Sequence, residues 1–170
     1  MQMLVKDIVK ACNGVLLCGD PETVITSVET DSRLIEPGAL FVPIIGQKTD
    51  AHQYIQQTFD KGAVAALTQE HTSMEDSAHC WIYVEQTQDA LQQIATVYRN
   101  QFQVPVVGVT GSVGKTSTRE MIALALSAEK NVMQTKGNSN SQIGLPLTMF
   151  PVSYTHLAIR WFRSLSMNNL

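Results

Sequence analysis

The stretch 104–127, "VPVVGVTGSVGKTSTREMIALALS", constrains this chain more than any other. An apolar strand runs into a glycine-bearing loop and then directly into a helix from about Lys115 to Glu129, with Met121, Ile122, Ala125 and Leu126 read as one apolar side. "NVMQT" at 131–135 then reads as a further strand. Strand, loop, helix, strand is the unit from which a parallel α/β sheet is built. An α/β fold is therefore expected here, with the sheet's ligand edge beside the loop.

The loop has its own chemistry. Gly111 and Gly114 lack a side chain, so the backbone can take φ > 0 and turn consecutive N–H groups toward one anionic oxygen. The helix that follows adds its unpaired amides and the positive end of its dipole. Lys115 supplies a point charge for terminal phosphates, and a hydroxyl at Thr116 or Ser117 can ligate Mg²⁺. The competing reading is a tight turn with a solvated lysine. Strand, glycines, lysine, hydroxyl and helix in this order favour phosphate binding. One departure narrows the class: a GxxxxGK(S/T) loop has a glycine at position 109, where this chain has Val109. An ordinary GTPase or small kinase is disfavoured, and no acidic switch motif follows the loop.

Composition excludes other classes. A chain of 170 residues that is 44% hydrophobic and 16% charged can bury a core in one or two compact units. A net charge of -3 gives no basic footprint for nucleic acid. Cys12, Cys18 and Cys80 form no CxxC pair, so neither a disulfide framework nor a zinc site is indicated, and a reducing cytoplasm fits. "MQMLVKDIVKACNG" carries charges every few residues, so neither a signal peptide nor a membrane span is expected.

Upstream of the loop, Leu4, Val5, Ile8, Val9 and Cys12 fall at helical spacing. Short strands are expected at 15–17, 24–28 and 40–44, then a helix at 51–61, a small-residue strand in "GAVAALT", an exposed loop at 69–79 and a strand in "CWIYVE". A long helix from Thr87 with Leu91, Ile94, Ala95, Tyr98 and Phe102 on one face ends before Pro105. A domain boundary is placed near residue 85. The last twenty residues contain no Asp, Glu, Lys or Gly, and a helix at about 155–166 is expected there.

"TGSVGKTST" at 110–118 resembles the ATP loop of the Mur ligases, TG(S/T)xGKT(S/T), enzymes that build the peptide of the bacterial cell-wall precursor. "TDSRLIEPGALFVPIIGQKTDAHQYI" at 30–55 resembles the amino-terminal signature of that family, DSRxxxPGxLFxxxxGxxxDxHxFI. "TKGNSNSQIGLPLT" at 135–148 resembles the TxGNxNNxIGxPLT segment of the last ligase in the series. The resemblance covers about residues 3–150.

It implies an amino-terminal UDP-sugar-binding domain at 1–84, the beginning of an ATP-binding P-loop central domain at 85–150, and an atypical tail at 151–170. The tail reads as a reading-frame change or read-through in a truncated ligase, with a second domain of low stability. It further implies that ATP phosphorylates the terminal carboxylate of UDP-N-acetylmuramoyl-tripeptide, and that the amine of D-alanyl-D-alanine attacks the acyl phosphate. On this reading Gly111, Ser112, Val113, Gly114, Lys115, Thr116 and Ser117 hold ATP, Lys115 is catalytic and Thr116 ligates Mg²⁺. Asp31, Ser32, Arg33 and Gly46 meet the UDP end of the substrate, and Asn138, Asn140 and Ser141 meet it near the reaction.

Ser141 stands where the family has a second Asn. Taken by itself, "TDSR" reads as a capped turn with an exposed ion pair, "KGNSNSQ" as a polar turn, His52 as a surface or helix-start residue, and Arg119 and Glu120 as an exposed helix face. A bacterial cytoplasmic monomer is expected. The alternative function is a non-catalytic nucleotide or UDP-sugar binding fragment.

Overall fold

The computed structural model describes residues 1–47, 49–76, 78–135 and 141–151, and the backbone of 156–161. The chain divides into two compact units, Met1–Tyr98 and Arg99–Leu170.

In the first unit, β1 (Met3–Leu4) leads into α1 (Val5–Ala11) and β2 (Val15–Cys18). The apolar run at 24–28 is divided into β3 (Val24–Ile25) and β4 (Ser27–Glu29). Thr26 lies between them because its N–H donates to the Gly38 carbonyl and its hydroxyl to the Pro37 carbonyl. β3 pairs antiparallel with β1, whereas β4 begins the main sheet. β5 (Ala39–Phe41) precedes a 3₁₀ turn, Ala51–Tyr54, that runs into α2 (Ile55–Asp60). Then come β6 (Ala65–Thr68), β7 (Cys80–Tyr83) and α3 (Thr87–Asn100). The sheet order is β2-β7-β6-β5-β4, parallel from β4 to β7 with β2 antiparallel at one edge.

Burial follows from this order. β5 and β6 are buried at every residue, as expected for parallel strands covered on both faces. α3 buries Thr87, Ala90, Leu91, Ile94, Ala95 and Tyr98, the stripe of an amphipathic helix. The loop at 69–79 is exposed in part but anchored. Asp76 Oδ1 accepts from Ala78 N–H at 2.8 Å and His79 N–H at 3.3 Å, and Asp76 Oδ2 accepts from Trp81 Nε1 at 3.2 Å and faces His79 Nδ1 at 2.9 Å. The His79 ring stacks on Phe59 at 4.1 Å. Burial alone would raise the Asp76 carboxyl, but these bonds outweigh it and hold it at about 2.

The second unit contains β8 (Val106–Val109), α4 (Lys115–Ser127), β9 (Asn131–Gln134), α5 (Gly144–Leu147) and β10 (His156–Trp161). Its sheet order is β8-β10-β9, all parallel. The expected helix at 155–166 is therefore replaced by a strand at 156–161, because parallel pairing on both sides satisfies its backbone groups better than an isolated helix could. The face of α4 also differs from expectation. Met121 is 71% exposed and Leu124 76%, while Arg119 and Ala123 are buried and Ile122 and Leu126 are half-buried. Positions 119, 122, 123 and 126 form one i, i+3, i+4, i+7 stripe, and that stripe includes the arginine.

Candidate functional site

β8 ends at Val109, and residues 110–114 turn the chain into α4. Gly114 occupies the position before the helix at φ 75°, a left-handed conformation that a Cβ would strain. Space is not the reason for glycine here, since an added Cβ would meet no heavy atom within 4 Å. No side chain caps the amino end of α4, so the amides of its first turn stay directed at the loop mouth. Gly111, Ser112, Val113, Gly114, Thr116 and Ser117 are all exposed. Lys115 folds back over the loop, donating to the Gly111 carbonyl and, at 3.4 Å, to the Ser112 carbonyl. Cation, amides and hydroxyls thus surround one open mouth at the carboxyl end of a parallel strand.

One turn along α4, Arg119 is only 3% exposed. Its Nη1 donates to Thr135 Oγ1 at 3.0 Å, and its Nη2 lies 3.5 Å from Glu120 Oε1. The exposed helix face expected at Arg119 and Glu120 is corrected for Arg119. A helix position four residues from Lys115 shares its side of the helix, and that side faces the sheet. Glu120 is exposed as expected.

A second site lies in the first unit, at the carboxyl ends of β4 and β5. A cleft of about 560 Å³ is lined by Thr30, Asp31, Ser32, Arg33, Thr49, Ala51, Tyr54 and Gln57. Three of the four sequence-predicted residues of the signature, Asp31, Ser32 and Arg33, line it together. Asp31 Oδ1 accepts from the Arg33 amide at 3.0 Å, and its carboxylate takes Arg33 Nε at 2.9 Å and Nη2 at 2.6 Å. These Arg33 bonds hold the Asp31 carboxyl down at about 2. The capped turn with an ion pair is present, and it forms the cleft wall. Lys61 Nζ donates to the Ser32 carbonyl at 2.7 Å and fixes the wall from below.

Gly46 is not among the lining residues. It accepts a turn instead, its amide donating to the Thr49 carbonyl at 2.9 Å, which places Thr49 in the cleft. Thr49, Tyr54 and Gln57 were missed by sequence reasoning. Thr49 and Tyr54 lie inside the quoted signature, so the signal was present there.

His52 is the second residue of the 3₁₀ turn and is 5% exposed, so the surface alternative is corrected. Asp50 Oδ1 lies 2.6 Å from its Nδ1, and its Nε2 accepts from the Gln69 amide at 3.3 Å. Asp50, His52 and Glu70 bring three potential ligand atoms within 4.8 Å of one another. The Gln69 amide nevertheless requires a lone pair on Nε2, which puts the ring proton on Nδ1 and directs it at Asp50. A cation on Nδ1 would have to displace that proton, so these residues form a hydrogen-bonded support and fit a metal poorly.

The remaining predicted positions divide in two. Asn138 and Asn140 lie outside the described residues. Ser141 is exposed, and its Oγ accepts from the Gly144 amide at 2.9 Å at the start of α5. Among the described residues no helix is long and apolar enough to cross a membrane.

Comparison with known proteins adds to this geometry. Residues 24–105 match the model described as Mur ligase family, catalytic domain, and residues 109–159 match the Mur ligase middle domain. The second match extends past residue 150, where the sequence resemblance was placed, and takes in part of β10. The chain is 40% identical over 146 residues to UDP-N-acetylmuramoyl-tripeptide--D-alanyl-D-alanine ligase of Bacillus subtilis, covering 85% of this chain and 32% of that protein. A crystal structure of MurF from Acinetobacter baumannii superposes with a TM-score of 0.84 at 29% identity, covering 95% of this chain and 35% of that one. MurF ligase from Thermotoga maritima, solved in complex with ADP, gives 0.70 at 31% identity over 79% of this chain and 31% of that one. The chain spans about a third of the length of the relatives it matches.

Proposed function

The chain belongs to the Mur ligase family, and on that premise we propose that it carries the nucleotide-binding loop and the UDP-sugar cleft of a ligase joining D-alanyl-D-alanine to UDP-N-acetylmuramoyl-tripeptide in the bacterial cytoplasm. The observation that carries this reading is the mouth at 110–117, with a left-handed Gly114, an uncapped helix start and Lys115 folded over the loop.

The amides of Gly111, Ser112, Val113 and Gly114 bind the β and γ phosphates of ATP. Lys115 exchanges the Gly111 and Ser112 carbonyls for phosphate oxygens and neutralises charge as the γ-phosphoryl group moves to the substrate carboxylate. Phosphoryl transfer of this kind is mostly positioning and charge neutralisation, which these groups provide. Thr116 would hold Mg²⁺ through its one exposed hydroxyl, and the first turn of α4 holds no acid, so these residues fit a single ligand position of that ion. Bound there, Mg²⁺ would supply charge neutralisation during phosphoryl transfer. In the first unit Arg33 turns from Asp31 to the diphosphate of the UDP group, with Ser32 as donor and Tyr54 along the cleft wall. Asn138, Asn140 and Ser141 meet the substrate near the reacting carboxylate.

Titration of the chain with Mg·ATP, followed through the amide resonances of 111–117, tests the loop. Lys115→Ala is expected to weaken binding at least about tenfold, the scale of one lost charge-assisted bond. Unmoved resonances in folded wild-type protein would sink the reading. Phosphate release with UDP-tripeptide, D-alanyl-D-alanine, ATP and Mg²⁺ then separates turnover from a chain that only binds nucleotide or UDP-sugar.

A further inference from the structure

We propose that Lys61 is a positioning residue for the cleft of the first unit: it stands as a second cation beside Asp31, so that Arg33 can leave that carboxylate for an anionic ligand. The inference rests on the reading of this cleft as the site of the UDP group, and it adds how the anion of that group is admitted.

The cleft is paired with itself. Arg33 lines it and its side chain is largely in solvent, yet Asp31 holds the guanidinium through Nε at 2.9 Å and Nη2 at 2.6 Å. That edge of the guanidinium is one that grips a phosphate with two parallel bonds. When Arg33 turns to a ligand, Asp31 remains in the same lining as a bare anion and opposes the incoming charge. The Arg33 amide still donates to Asp31 Oδ1 at 3.0 Å, so the turn persists, but an amide carries no charge to offset the carboxylate.

Lys61 supplies that charge from a fixed base. It follows the last residue of α2, its N–H donates to the Thr58 carbonyl at 3.2 Å, and the next carbonyl, of Gly62, accepts from the Gly38 amide at 2.9 Å. The end of α2 is thereby fastened to the far end of the crossover whose near end carries Asp31 and Arg33. From there the Lys61 side chain reaches back to the Ser32 carbonyl at 2.7 Å, within the same turn. Its charge already acts on Asp31: the Arg33 bonds are the main cause of the depressed carboxyl, and Lys61 lowers it in the same direction. A carbonyl at an exposed turn needs only water as donor, so the bond alone gives no reason for a cation. The charge becomes necessary once Arg33 has gone.

The test titrates the full chain with UDP in wild type, Lys61→Met, Asp31→Asn and the double variant. Lys61→Met is expected to weaken UDP binding about three- to fivefold, the scale of one exposed ion pair, and Lys61→Arg should restore it. Asn at position 31 keeps the acceptor for the Arg33 amide and loses the charge. In that background Lys61→Met should therefore cost less than about 1.5-fold. An equal cost in both backgrounds overturns the proposal, because a direct contact of Lys61 with the ligand, or a purely structural tie to Ser32, would give that result. No cost in wild type overturns it too. Should Asp31→Asn fail to fold, the Asp31 carboxyl resonance of the UDP complex decides: its acid titration should move upward in Lys61→Met, and an unmoved midpoint overturns the proposal. A folded wild-type chain that does not bind UDP, or that binds it equally well after Arg33→Met, removes the reading of the cleft and this inference together. UDP binding that falls at least about tenfold on Arg33→Met, with a Lys61 effect indifferent to Asp31, removes only the inference.

Discussion

α3 and α4 are nearly equal in length, 14 and 13 residues, yet they are held in different ways. α3 buries a continuous apolar stripe that includes Leu91 and Ile94, both fully buried. α4 buries Arg119 and Ala123 and leaves Met121 and Leu124 largely in solvent. One helix is fixed by its flank. The other is fixed at its start, where Gly114 turns the chain and Lys115 closes over the loop. A helix that must offer its first amides to a ligand needs an open amino end, whereas a core helix needs only a wide apolar face.

The largest effect expected from this contrast is at Ile94. Ile94→Ala should lower stability of the first unit by about 2–5 kcal/mol, by lost burial plus a cavity, in urea unfolding followed by Trp81 fluorescence. His52→Ala is expected to cost about 1–3 kcal/mol, because it removes the acceptor of the Gln69 amide and the donor to Asp50. A loss below 0.5 kcal/mol would mean that this buried polar support contributes little and that apolar packing alone fixes the unit.

Asp76 sharpens the contrast through pH. Its folded value near 2 lies below the ordinary 3.8, so its contribution is fully present above pH 4 and disappears as pH falls through 2. Asp76→Asn should cost about 1 kcal/mol at pH 7 and flatten the acid limb of the unfolding curve. Asp31 titrates in the same window, but its Arg33 partner is 83% exposed, so Asp31→Asn is the control expected to leave that limb nearly unchanged. The smallest effect is at Leu124, where Ala should change stability by less than about 0.5 kcal/mol. A loss above 1 kcal/mol would show that the outer face of α4 is covered in solution, and the comparison of the two helices would break.

Local features were legible in the sequence and distant ones were not. The loop at 110–117 and the Asp31 to Arg33 turn involve neighbours, so residue type and spacing revealed them. The burial of His52 depends on Gln69, seventeen positions away, and that of Arg119 on Thr135, sixteen positions away, neither of which a periodic pattern reports. On α4, counting apolar residues favoured Met121 and Ala125, but an arginine that spans to a strand end rotated the buried stripe. The strand at 156–161 was missed although Leu157, Ile159 and Trp161 alternate in period two, because its pairing partners begin at residues 106 and 131.

One wall of the first unit's cleft, residues 30–33, begins the crossover 30–38 between two adjacent parallel strands, which is made without a helix. Thr26 N–H bonds Gly38, Val42 N–H bonds Glu29, and Ala39 N–H bonds Glu36, so the segment is fastened to the sheet at both ends. Any guest that asked this wall to yield would have to unzip β4 or β5 first. The shape of that surface is consequently decided when the chain folds, before anything can enter the cleft.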